Sequence, residues 1–183
     1  MKPFFTSSMA ALLIVNLVAC VSTSPLKNEK NETAITENIT FTATTDNDEE
    51  ATTQLVHLLQ KNAFDVVRIN EATLRIEYDN GKFTVSPKLS KDGLDRIIIR
   101  KYYGIKKPYQ NTSKILAFAV QLNQELNVAQ FSLKDDGQTF VALGSITFVD
   151  KLEVVEIRKF MEFFNTGMRA IVHLIPETTD YLE

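Results

Sequence analysis

Residues 73–86 read TLRIEYDNGKFTVS, a stretch with apolar residues at alternate positions on both sides of Asn80-Gly81. The alternating apolar positions are Leu74, Ile76, Tyr78, Phe83 and Val85. Asn-Gly favours a two-residue type I′ turn, because both central residues of that turn need positive φ. The stretch therefore predicts a β-hairpin with one buried face.

The segments on either side of this hairpin extend the pattern. We expect further strands at residues 64–69, 94–103, 128–133 and 139–148, the last two joined by a turn at Asp135-Asp136-Gly137. Apolar residues at helical spacing predict helices at 51–62, at 115–126 and from Leu152 to Pro176, where proline ends the stripe. The predicted order is α-β-β-β-β-α-β-β-α. This order indicates an α+β fold, an antiparallel sheet with flanking helices on one face or at both ends.

Charge divides the chain of 183 residues into an acidic segment and a nearly neutral domain. Residues 21–50 hold two lysines against seven acidic side chains, whereas residues 51–183 hold 17 basic and 16 acidic ones. No helical or strand period is sustained before residue 51, so we expect residues 20–50 to be a disordered acidic tether and 51–183 a single domain. The net charge of -3 gives no support for a nucleic-acid partner.

The first nineteen residues have the layout of a secretory signal peptide. Lys2 precedes an apolar run from Met9 to Ala19. The run is shorter than the roughly 20 apolar residues that cross a bilayer, so a cleaved signal fits better than a retained anchor.

The run ends in Leu17-Val18-Ala19-Cys20, which resembles the lipobox of bacterial lipoproteins. The resemblance implies a diacylglyceryl thioether on Cys20, cleavage before it, and acylation of the new amino terminus by a fatty acid such as palmitate. Residue 21 is Val rather than Asp, which in this family implies the outer membrane, facing the periplasm. The alternatives are an ordinary signal peptide that ends near a cysteine, or a free buried Cys20.

Later motifs resemble the YbjN-like family and the related type III secretion chaperone-like fold, over about residues 51–175. They are Leu122-Asn123, Phe131 to Gly137, Val141-Ala142-Leu143 and the long closing helix. The resemblance implies a protein-binding, sensory-regulator-like or chaperone-like domain without catalytic residues, often a homodimer. We therefore expect an envelope protein as partner.

The chemistry-bearing residues give little sign of catalysis. His57 and His173 each lie in an apolar helical segment without a nucleophile motif, and we expect both at the surface or its boundary. Neither has a second ligand three or four residues away, so we expect no metal and no cofactor. The alternative is an envelope enzyme acting on a cell-wall or glycan substrate, in which two acidic side chains of the domain come together in the folded chain.

One polar stretch combines basic and aromatic residues. It allows two interpretations: a charged strand edge and loop that keep the sheet from aggregating, or a surface for an envelope polyanion or an acidic partner protein. The candidate surface residues are Arg96, Arg100, Lys101, Tyr102, Tyr103, Lys106 and Lys107.

Overall fold

The alternating runs form strands of an antiparallel sheet in the computed structural model, which describes residues 40–42, 47–91 and 94–183. The predicted α+β class, with an antiparallel sheet and flanking helices, is confirmed. The strands are β1 Thr40–Thr42, β2 Asp65–Asn70, β3 Thr73–Tyr78, β4 Gly81–Lys88, β5 Asp95–Gly104, β6 Gln130–Leu133, β7 Thr139–Phe148 and β8 Lys151–Glu153. The helices are α1 Asp48–Lys61, α2 Ser113–Glu125, α3 Val154–Leu174 and α4 Thr178–Tyr181, with a 3-10 turn at Lys107–Tyr109.

Six strands form the main sheet in the order β2-β3-β4-β5-β7-β6, and every neighbouring pair is antiparallel. β5 and β7 lie at its centre and pair along their whole lengths, from Asp95 opposite Phe148 to Gly104 opposite Thr139. β6 is shorter and begins only at Gln130, opposite Leu143. β1 and β8 pair with each other in a separate small sheet.

The described helices pack on one face of the main sheet, which we call the core face. Phe83 of β4 contacts Phe164 of α3, and Phe140 of β7 contacts Phe118 of α2. Arg68 of β2 donates to Thr53 of α1. The strand register puts these strand residues on the same side as the buried Leu74, Ile76, Val85, Ile97 and Ile99. We call the opposite side, with Arg75, Thr84, Arg100 and Leu143, the open face.

The predicted hairpin is present, but its turn lies one residue earlier than Asn80-Gly81. Tyr78 pairs with Gly81, and the two residues between them, Asp79 and Asn80, have φ of 46° and 59°. Gly81 serves a different purpose, because a Cβ there would lie 2.7 Å from the Phe83 ring and 2.9 Å from Asn165 Oδ1. Close packing against α3, rather than positive φ, therefore requires this glycine.

The folded region starts earlier than predicted. Phe41 of β1 is 2% exposed and lies edge-on to Phe148 with ring centroids 5.9 Å apart. α1 begins at Asp48, and Asn47 Oδ1 accepts the Glu49 N–H at 2.9 Å as an N-cap. Residues 40–42 and 48–50 therefore belong to the domain and not to the tether, because β1 has a partner strand and the acids lie in the first turn of a helix.

The predicted signal peptide, Cys20 and the tether up to residue 39 lie outside the described residues. Among the helices of the described part of the chain, none has the length and apolar character needed to span a membrane.

Candidate binding face of the sheet

Strand β5 separates the residues of the predicted basic and aromatic surface. Successive side chains of a strand point to opposite faces, and Ile97 and Ile99 are fully buried on the core face. Arg96, Arg100 and Tyr102 consequently lie on the open face, whereas Lys101 and Tyr103 lie on the core face. The strand therefore divides the five predicted residues that it contains between two faces of the sheet.

Tyr102 is 39% exposed on the open face. The ammonium group of Lys134 lies 4.7 Å from the centroid of its ring, a cation–π contact. The half-buried Ile98 and Leu143 lie on the same face. The open face therefore combines positive charge with aromatic and aliphatic surface.

Lys101 points in the opposite direction, toward α3. Its Nζ lies 5.6 Å from the Phe83 ring centroid and 5.7 Å from that of Tyr103, and it donates to Asn165 Oδ1 at 3.3 Å. Burial, and secondarily the positive charge of Arg169, lower the pKa of Lys101. Two aromatic rings and the Asn165 side-chain amide therefore fix the Lys101 ammonium group at the edge of the core.

Tyr103 lines an apolar cavity of about 210 Å³ between the core face, α2, α3 and the segment that contains α4. The cavity wall includes Phe131, Phe140 and Met168. Burial there raises the pKa of Tyr103 to about 12. Tyr103 is therefore partly buried against the core rather than on the open face.

Lys106 and Lys107 lie beyond the end of β5. The Lys106 ammonium group donates to the Thr179 carbonyl oxygen, and its backbone N–H donates to the Tyr181 carbonyl oxygen at 3.0 Å. Lys106 therefore holds α4 against the sheet. Lys107 is exposed at the start of the 3-10 turn, beyond the end of β5.

The open face includes an arginine that the sequence prediction missed. Arg75 on β3 pairs with Thr84 on β4, and Thr84 pairs with Arg100 on β5. The two arginines lie in one row across the sheet, with backbones about 10 Å apart at two strand spacings. The salt bridges resolved within the described residues include neither of them. Alternation in each strand indicates the outward position, but only the register puts Arg75 in the same row as Arg100.

The two histidines are exposed, as predicted, on α1 and α3. The described residues contain no group of three or more His, Cys, Asp or Glu side chains that could hold a metal ion.

Comparison with known proteins finds no match to this chain among family models, curated proteins or solved structures.

Proposed function

We propose that this chain is a lipid-anchored, non-catalytic binding protein of the bacterial cell envelope. In this proposal, a lipid on Cys20 holds it to the outer membrane on the periplasmic side. The open face of its sheet binds an acidic protein partner. The resemblance to the YbjN-like family supports a protein-binding role of the sensory-regulator or chaperone kind.

The open face is the observation that carries the proposal. None of the described helices covers it, and its central row places Arg75 and Arg100 on either side of Thr84. Arg75 is exposed and Arg100 is half-buried, and an arginine presents five N–H donors in a planar fork that matches a carboxylate. Two such groups in a row fit a surface with spaced Asp or Glu side chains.

The apolar side chains beside Arg100 favour a protein over a linear polyanion. Ile98 and Leu143 lie half-buried beside Arg100, and Tyr102 adds an exposed aromatic ring. Protein interfaces combine aromatic residues and arginine with apolar surface at their centres. A polyanion alone would leave these apolar groups in water.

The anchor rests on the lipobox-like residues 17–20. Two or three acyl chains hold a protein to a bilayer effectively permanently, because each buried methylene contributes about 0.8 kcal/mol, whereas a single chain is marginal. We propose that residues 20–39 act as the tether that the sequence predicts; a flexible coil of about 20 residues reaches roughly 25 Å on average. The domain could then meet a partner away from the membrane surface.

A photo-crosslinking residue in place of Tyr102 tests this function in living cells. We expect a reproducible adduct with one acidic protein, and none when the crosslinker replaces Thr166, which is exposed on α3. Reversing both charges, with Arg75→Glu and Arg100→Glu, should abolish the adduct. Equal adducts from both sites, an adduct that survives charge reversal, or an adduct with glycan instead of protein would contradict the proposal.

A further inference from the structure

One edge of the central strand β7 is open over half its length. β7 pairs with β5 from Thr139 to Phe148, but β6 covers its other side only as far as Leu143. Among the described residues, Gly144 to Phe148 have no strand partner on that side. An open strand edge offers backbone donors and acceptors to an added strand.

The hydrogen-bond pattern shows which groups are available. The Lys134 N–H donates to the Thr139 carbonyl oxygen at 2.9 Å, so Thr139 directs its backbone toward β6. Backbone direction alternates along an antiparallel strand. Ser145 and Thr147 therefore direct their N–H and C=O groups past the end of β6, and both residues are exposed. Four backbone groups lie along this free edge.

A groove of about 530 Å³ lies along the same edge. Phe160 and Phe163 of α3 form its wall on the core-face side, and Phe163 is 56% exposed. Arg96 and Ile98 of β5 line it on the open-face side. The segment between α2 and β6, residues 126–129, lines it as well.

We infer that this groove accepts an extended acidic peptide segment of another protein as an added strand. Side chains of an added strand alternate between the two faces. Those opposite Gly144 and Ile146 would lie against Phe160 and Phe163, which requires apolar residues. Those opposite Ser145 and Thr147 would lie on the side of Arg96, which favours Asp or Glu.

Charge complementarity favours such a segment over a second copy of this chain. Arg96 is exposed, and none of the salt bridges resolved in the described region involves it. Residues 144–148 read GSITF, so the same edge of a second copy would bring no acid to Arg96. This inference concerns the edge of the sheet and stands apart from the proposed binding through Arg75 and Arg100.

Fluorescence anisotropy with the full chain in mild detergent tests the inference. The probe is a labelled heptapeptide, EIEVEIE, which alternates acidic and apolar residues. Its control, EEIVIEE, has the same composition without the alternation. We expect the first peptide to bind about tenfold more tightly or better, since only the alternating peptide satisfies both sides of the groove as a strand.

Three protein variants locate the site. Thr147→Pro removes an outward N–H that has no acceptor on that side among the described residues, and proline is tolerated at an edge strand whose N–H faces solvent. Phe163→Ala removes the exposed ring, and Arg96→Glu reverses the charge. Each should weaken binding by roughly tenfold, whereas Lys114→Glu, a charge reversal at an exposed position of α2 outside the groove, should leave it unchanged.

Several outcomes would overturn the inference. They are absence of binding, equal binding of the two peptides, binding unaffected by Thr147→Pro and Phe163→Ala, and equal loss with Lys114→Glu and Arg96→Glu. A dimer that Thr147→Pro dissociates, without peptide binding, would show that the edge serves self-association instead. Failure of the Tyr102 crosslink alone would contradict the proposed function and leave this result unaffected.

Discussion

Asn165 links α3 to the hairpin between β3 and β4. Its side chain is 1% exposed, and its Nδ2 donates to the Asp79 carbonyl oxygen at 3.1 Å and to Asp79 Oδ2 at 3.2 Å. Its Oδ1 accepts from Lys101 at 3.3 Å. A buried amide with partners in the β3–β4 turn and on β5 specifies how the helix sits on the sheet, because any shift leaves polar groups unpaired.

Asn165→Ala should therefore lower the free energy of unfolding by about 1–3 kcal/mol, since buried polar groups lose their partners. Urea unfolding followed by circular dichroism measures this loss. Thr166→Ala, at the exposed neighbouring position of α3, should change stability by less than about 0.5 kcal/mol. Equal effects of the two substitutions would contradict the role given to Asn165.

Tyr103 should make the free energy of unfolding fall as the pH rises into the alkaline range. Its folded-state pKa of about 12 lies above the ordinary value of 10.0. The unfolded chain therefore loses this proton first, and stability falls as the pH rises from 10 toward 12. A shift of two pKa units corresponds to about 2.7 kcal/mol.

Tyr103→Phe should remove this part of the alkaline loss. Unfolding free energies at pH 9, 10, 11 and 12 should show wild type losing up to roughly 2–3 kcal/mol more than the variant. The lowered pKa of Lys101 acts in the opposite direction, because its unfolded form holds the proton to higher pH. Lys101 is present in both proteins, so the difference reports Tyr103. Parallel curves for wild type and variant would refute the assignment.

At the scale of elements, the β3–β4 hairpin separates positive φ from close packing, the two properties for which a turn can need glycine. The turn places Asp79 and Asn80 at positive φ, and Gly81 lies under Phe83 and Asn165. Asn and Asp tolerate the left-handed conformation better than most other side chains do. The sequence pattern Asn-Gly thus predicts the hairpin correctly, although the glycine is needed for packing.

Gly81→Ala should destabilise the protein by about 1–3 kcal/mol, because the added methyl overpacks a buried contact. Gly104→Ala is the matched control, since its nearest neighbour is the flexible end of the Glu183 side chain, 3.0 Å away. Thermal unfolding of both variants measures the difference. A Gly81→Ala variant as stable as Gly104→Ala would show that the contact with Phe83 relaxes without cost.

The spacing of apolar residues along the chain predicted the main helices and the strands of the six-stranded sheet. In β5 the alternation alone already indicates that Arg96 and Lys101 lie on opposite faces. A single surface over residues 96–107 is not compatible with that alternation. The strand pair β1 and β8 depends on Phe41 lying opposite Leu152, a contact between distant segments that no periodicity encodes. The row of Arg75 and Arg100 likewise depends on strand register. Non-local pairing is therefore what sequence reasoning could not supply.

At the scale of the whole molecule, the fold keeps its described helices on one face of the sheet. The other face carries the arginine row, and the edge of β7 carries the groove beside Phe163. We propose that a lipid on Cys20 confines partner binding at these surfaces to the membrane.

Metabolic labelling with an alkyne fatty acid tests that anchor most directly. The parent chain should take up the label and fractionate with membranes. Cys20→Ser should take up none and migrate as the uncleaved form, because both lipid transfer and cleavage need the thiol. A parent chain without label, or a Cys20→Ser chain that keeps both the label and the mobility of the parent, would contradict the proposed anchoring.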